Sequence, residues 1–155
     1  MKSIIKQINT SLIKKQKTIA VAESCTGGLL SEALTRLSGS SKFFILGVIA
    51  YSNQAKESIL KVPLSLITSK GAVSKEVAYY LAKNVRKIAR ADFGIGITGI
   101  AGPGGGTPKK PVGTVFICVD STNKIICKKL HFKGSRKEIR EKSAQESLKL
   151  LKTVL

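Results

Sequence analysis

Residues 18–37, TIAVAESCTGGLLSEALTRL, constrain the fold more than any other stretch of this chain. A short apolar run containing Val and Thr stops abruptly in small polar residues and a pair of glycines. A segment with helical spacing of its apolar residues follows. Continuous apolar runs of this length read as strands buried on both faces, and the order strand, tight turn, helix is the unit from which doubly covered sheets are built. The order recurs. FFILGVIAYS (43–52) reads as a second buried strand, and NQAKESILKV continues as a helix that stops before Pro63, because the residue preceding proline resists helical geometry. DFGIGITGIAG (92–102) is a glycine-rich apolar strand that runs into PGGGTPKKP, a loop by composition.

Around this frame, Ile4, Ile5, Ile8 and Leu12 recur at helical spacing and predict a helix over 2–16. Ser74 is placed to cap a helix whose Val77, Leu81, Val85 and Ile88 share one face. GTVFICVD and KIICKKLHF flank Ser121-Thr122-Asn123 as an antiparallel hairpin. Ser135 and Glu138 match a capping box that opens a C-terminal helix carrying Ile139, Leu148, Leu151 and Leu155. The expected fold is α/β: a three-layer α/β/α sandwich around a mixed, mostly parallel sheet of about five strands that ends in an antiparallel hairpin. With 155 residues and neither a linker nor an internal repeat, residues 1–155 read as a single domain.

Charge is the outlier of the composition. Lys and Arg number 27 against 9 acidic residues, a net charge of +18. Such an excess suits an anionic substrate or a polyanion. Nucleic acid is the less favoured of these partners, since the lysines are dispersed and only five Phe and three Tyr are available for base stacking. No run approaches the roughly 18 apolar residues of a membrane helix, and the start is interrupted by Lys and Gln too often for a signal peptide. Cys25, Cys118 and Cys127 lack CxxC spacing, so neither a zinc site nor a disulfide framework is expected. A cytoplasmic chain with reduced thiols and no membrane contact is the simplest expectation.

Ligands of open α/β sheets sit beyond the carboxyl ends of the strands. Three expected strand ends are rich in small and reactive groups: 23–28, 51–56 and 98–106. Ser24 and Lys56 would come from adjacent ends if their strands are parallel neighbours, and serine with lysine is a known pairing of nucleophile and base. Lys56 could accept a proton only if burial or nearby positive charge lowers its pKa. Ser24 reads equally as an N-cap of the helix after it, and Lys56 as one of many solvated lysines. Tyr51 is either a core residue or a proton relay, and Cys25 ranks second as nucleophile. GIAGPGGG is either a flexible loop or an anion cradle whose backbone N–H groups no side chain obstructs. It matches neither a P-loop nor a dinucleotide fingerprint. Arg136 and Arg140 either clamp a phosphate or face solvent. His131, the single histidine, with scattered carboxylates, gives no metal site, and no cofactor is expected.

AESCTGG (22–28), GSS (39–41), YSNQAK (51–56), GAVS (71–74), TGIAGPGGG (98–106) and KPVGTV (110–115) together resemble the CinA C-terminal domain family in order and spacing, over essentially the whole chain. The resemblance implies an amidase that hydrolyses the carboxamide of nicotinamide mononucleotide, giving nicotinic acid mononucleotide and ammonia, through a serine–lysine dyad without a metal or cofactor. Carried over, it places Lys56 as base; Ser24, at a strand's carboxyl end, is the serine chosen as nucleophile, with Tyr51 as an alternative proton donor. Ser41 is the rival serine, disfavoured because it precedes a strand and would start at the opposite edge. Cys25, Thr26, Gly27, Ser41, Thr98, Gly99, Gly102, Gly104, Arg136 and Arg140 are the expected substrate-binding residues. Gly104 departs from commoner members, which carry Asp there. The resemblance also implies a homo-oligomer. Its competitors are a non-catalytic nucleotide- or nucleic-acid-binding protein and an amidase for another carboxamide.

Overall fold

In the computed structural model, which describes residues 2–155, the apolar run after Thr18 becomes the central strand β1 (Ile19–Glu23), preceded by α1 (Lys2–Lys14). The chain continues through α2 (Leu29–Thr35), a 3-10 turn at Ser40–Lys42, β2 (Phe44–Ile49), α3 (Asn53–Ser58), α4 (Leu64–Lys70) and α5 (Lys75–Ala89). It ends with β3 (Phe93–Gly99), β4 (Thr114–Ser121), β5 (Ile125–His131) and α6 (Arg136–Lys152). The strands form one sheet in the order β2-β1-β3-β4-β5. β1 pairs in parallel with both β2 and β3, while β3–β4 and β4–β5 are antiparallel.

Because successive side chains of a strand point to opposite faces, β1 feeds two cores. Ile19 and Val21 join Ile95, Ile97 and Ile117 against α1, α2 and α6, where Ile5, Ile8, Leu34 and Leu148 are buried. Ala20 and Ala22 point the other way, to Val77, Leu81 and Val85 of α5 and Ile67 of α4. This is the three-layer arrangement read from the sequence. Gly94 and Gly96 explain the glycine alternation of β3. A Cβ on Gly94 would lie 2.2 Å from the carbonyl oxygen of Ala82, and one on Gly96 2.4 Å from that of Ala78, so α5 rests directly on the strand.

The expected caps are present: Ser74 accepts from the Val77 N–H, and Ser135 with Glu138 forms a complete capping box. Elsewhere the structure departs from the sequence reading. α3 ends at Ser58, since Lys61 adopts a positive φ of 52° and Leu60 and Val62 turn inward. α4 was not anticipated, because its only buried residue is Ile67 and one anchor makes no period. β2 lies at the sheet edge rather than buried on both faces, leaving Ile45 and Ile49 about half exposed.

The thiol expectation is corrected as well. Cys118 and Cys127 are directly opposed on β4 and β5, with Cα atoms 4.1 Å apart, and their sulfurs are joined in a disulfide. Nearby, Asp120 of β4 pairs with Arg86 of α5 at 2.6 Å. No helix among the described residues is long and apolar enough to cross a membrane.

Candidate active site

The parallel register decides which serine meets Lys56. Ile19 pairs with Phe44 and Glu23 with Ile49, so β1 and β2 end together at one edge of the sheet. Ser24 and Lys56 both leave from that edge and line one cavity of about 310 Å³, at the small end of ligand pockets, which run from about 300 to 1,000 Å³. Ser41 stands before β2, exposed, at the opposite edge, and does not line this cavity.

Ser24 does not cap the helix that follows it. Glu23, fully buried, does so instead. One carboxylate oxygen accepts from the N–H groups of Gly28 and Leu30 at 3.0 and 3.1 Å. The other accepts from the N–H and the hydroxyl of Ser31 at 2.8 and 2.6 Å. A carboxylate at a helix N-terminus satisfies orphan donors and complements the dipole. The capping reading of Ser24 is therefore excluded, and its hydroxyl has no hydrogen-bond partner among the described residues.

Lys56 is 2% exposed, and its Nζ donates to the carbonyl of Tyr51 at 2.8 Å. It was never a solvated lysine: α3, capped by Ser52 at the Ala55 N–H, turns it inward. Burial holds its ammonium below the usual lysine range, with Cys25 acting in the opposite direction. Cys25 also lines the cavity. Burial pushes its thiol up to about 11, so at neutral pH it stays protonated and is the weaker nucleophile. Its own backbone N–H is the largest opposing influence.

The third wall comes from β3 and its glycine loop. Thr98, Gly99, Gly102 and Gly104 line the cavity, together with Ile100, Ala101 and Gly105. Ala72, Val73 and Asn53 line it too and were missed. The GAVS and YSNQAK segments were the available signal, since they belong to the pattern of the family resembled. Thr98 Oγ1 donates to the Ala72 carbonyl at 2.8 Å, and Lys110 Nζ donates to the carbonyls of Lys70 and Val73, both at 2.6 Å. These bonds tie the α4–α5 connection to the loop.

The two arginines at the start of α6 diverge. Arg136 lines the cavity, donating to the Gly102 carbonyl and to the Tyr51 hydroxyl, both at 2.8 Å. Tyr51 is thus a half-exposed residue of the cavity mouth rather than a core residue. Arg140, expected beside a phosphate, instead donates through Nε to the Cys25 carbonyl at 3.2 Å and through Nη2 to the Thr26 carbonyl at 2.8 Å. Neither Arg140 nor Thr26 nor Gly27 lines the cavity. No Asp or Glu lines it either, and Arg136 gives its mouth a positive charge, which favours an anionic ligand. No group of three or more His, Cys, Asp or Glu among the described residues could hold a metal ion.

Comparison with known proteins places this arrangement. The sequence profile described as the CinA C-terminal domain matches residues 1–155. A putative competence-damage inducible protein of Thermoanaerobacter pseudethanolicus is 49% identical over 152 residues, covering 97% of this chain and 37% of that protein. A CinA-like protein of Desulfotalea psychrophila is 48% identical over 148 residues, covering 96% of this chain and 36% of that one. The chain therefore spans little more than a third of the curated relatives it matches. Solved structures match at nearly full length. The competence/damage inducible protein CihA of Agrobacterium tumefaciens has a TM-score of 0.96 at 35% identity, covering 97% of this chain and 93% of that one. The competence damage-inducible protein A (ComA) of Klebsiella pneumoniae scores 0.93 at 29% identity, covering 96% and 92%.

Proposed function

The chain belongs to the CinA C-terminal domain family, and on that premise we propose that it hydrolyses the carboxamide of nicotinamide mononucleotide to nicotinic acid mononucleotide and ammonia. One observation carries the reading: a serine released from capping duty by Glu23 shares an acid-free cavity with a buried lysine. That combination supports acyl transfer, and the cationic mouth and glycine loop support a phosphate-bearing substrate.

In this mechanism neutral Lys56 takes the proton of Ser24 as Oγ attacks the amide carbon. Desolvation favours the neutral amine, and the bond to the Tyr51 carbonyl fixes its direction. The backbone N–H of Cys25, at the cavity wall, receives the oxyanion, such a donor being worth roughly 3 kcal/mol in comparable sites. Protonated Lys56 passes its proton to the leaving nitrogen, ammonia departs, and Lys56 then activates the water that releases the carboxylate from Ser24. Arg136 and residues 102–105 hold the phosphate, with Tyr51 positioned by Arg136 at the mouth.

Assembly of copies is part of the proposal, supported by the exposed Ile45 and Ile49 of edge strand β2; light scattering giving a monomer mass would end that part. The activity is tested by ammonia release from nicotinamide mononucleotide with chelator present. Wild type is expected to release ammonia, and Ser24→Ala and Lys56→Ala to release none above background. A folded wild type that releases none would overturn the substrate assignment.

A further inference from the structure

The turn carrying Ser24 is held from both of its polar sides by opposite charges. On one side, Glu23 accepts the N–H groups of Gly28, Leu30 and Ser31. On the other, Arg140 of α6, more than a hundred residues away in the chain, takes the carbonyls of Cys25 and Thr26. Gly27 makes this approach possible. It has a φ of 57°, and a Cβ there would lie 3.1 Å from Arg140 Nη2. The Gly27 N–H is itself spent on the Ser24 carbonyl at 3.1 Å. What remains are the N–H groups of Cys25 and Thr26, which donate to no other residue among the described ones; that of Cys25, beside its own thiol, is at the cavity wall, whereas Thr26 is fully buried away from it. In a trans peptide the C=O and N–H point in opposite directions. The Ser24 carbonyl, held by the Gly27 N–H, therefore fixes the direction of the Cys25 N–H, and Arg140 holds the two peptides that follow.

We infer that Glu23 and Arg140 are positioning residues that clamp the 24–28 turn between them, holding the N–H group of Cys25 at the cavity wall ready for an oxyanion and keeping the Ser24 hydroxyl uncommitted. Arg140 is then a brace of the turn and not a phosphate ligand, although it lies only one helical turn from Arg136. The inference rests on the nucleophilic role of Ser24 in the proposed reaction, and it does not depend on the identity of the amide. Preorganised donors cost no rearrangement during reaction, so loosening them lowers the rate of attack while leaving substrate binding nearly unchanged.

The test reads attack by Ser24 separately from hydrolysis of the nucleotide. A fluorophosphonate probe reacts with an activated serine by forming an O–P bond while fluoride leaves, and its P=O oxygen occupies the oxyanion position. Labelling of Ser24, followed by mass spectrometry, is expected to slow at least tenfold in Arg140→Ala. Arg140→Lys, which keeps a charged donor, should recover part of the rate, and ethylguanidinium added to Arg140→Ala should restore much of it. Glu23→Gln should also slow labelling, with thermal melting confirming that each variant is folded. With nicotinamide mononucleotide, Arg140→Ala should lower kcat by a similar factor and move KM less than threefold.

Labelling of folded Arg140→Ala at the wild-type rate would overturn the clamp, as would a tenfold rise in KM at unchanged kcat, the signature of a phosphate ligand. Wild type that labels at Ser24 yet releases no ammonia would sink the substrate assignment and leave the clamp standing on the labelling rates. Wild type that fails to label at all would sink both.

Discussion

The two halves of the sheet do different work. In β2–β1–β3 the strands run parallel, so all three end at one edge and deliver Ser24, Lys56, Thr98 and the glycine loop into one cavity. In β4–β5 the strands run antiparallel, so their connections fall at opposite edges; the Cys118–Cys127 disulfide ties the two strands to each other and the Arg86–Asp120 ion pair ties β4 to α5. The parallel half tolerates a buried lysine and an unpartnered hydroxyl. The antiparallel half pairs its buried carboxylate, Asp120, with Arg86. Chemistry gathers where topology brings chain ends together, and stability where side chains pair across a ladder.

Substitutions in the two halves should separate these roles. The largest effect belongs to Ser24→Ala, expected to lower ammonia release by about 10⁴-fold or more while nucleotide binding, followed by calorimetry, stays near wild type. Loss of binding together with turnover would erase the distinction between nucleophile and scaffold. Lys56→Met should lower kcat by about 10³-fold and yet raise unfolding stability at neutral pH by about 1 kcal/mol, since it replaces a desolvated amine with an apolar side chain. The sign follows from burial. It penalises only the folded, charged form, so the unfolded chain binds the proton more tightly. Wild-type stability should therefore rise with pH between the depressed folded value and the ordinary lysine value of about 10.4. Lys56→Met should lack that slope in denaturant titrations. For the same reason wild-type turnover should climb as pH rises toward the depressed value.

Arg136→Ala should raise KM for the nucleotide by about tenfold with kcat little changed, the loss of one charge-assisted contact at an exposed mouth. Measured against Arg140→Ala, it asks whether two arginines one turn apart really divide binding from positioning. The smallest effect on turnover is expected in the other half. Cys118→Ser opens the loop closed by the disulfide, whose cysteines are nine positions apart, and should cost about 2–3 kcal/mol of stability in chemical denaturation. Its kcat should stay within twofold. A drop in kcat would mean that the halves are coupled.

Much of this division was legible in the sequence, because it follows from local patterns. The apolar runs at 19–23 and 93–97 declared buried strands, and the direction of the chain chose Ser24 over Ser41 once parallel pairing was assumed. What escaped depends on distant partners or on register. Arg140 shows a charged helical position and nothing of the carbonyls it reaches across the fold. The cap supplied by Glu23 left a faint trace: a lone carboxylate ending an apolar run, before a helix whose own N-cap position is Gly28. The disulfide left a clearer one, since Cys118 and Cys127 lie symmetrically about Thr122 and Asn123, where the hairpin turns. α4 left none, having a single buried anchor.

The central claim is that Ser24, activated by Lys56, forms the acyl-enzyme. Acid quench of wild type during turnover of nicotinamide mononucleotide, followed by peptide mass spectrometry, tests it most directly. The account predicts an ester of the nicotinic acid mononucleotide acyl group located on Ser24, absent from Ser24→Ala. An adduct on Cys25 or Lys56, or undiminished turnover in Ser24→Ala, would contradict it.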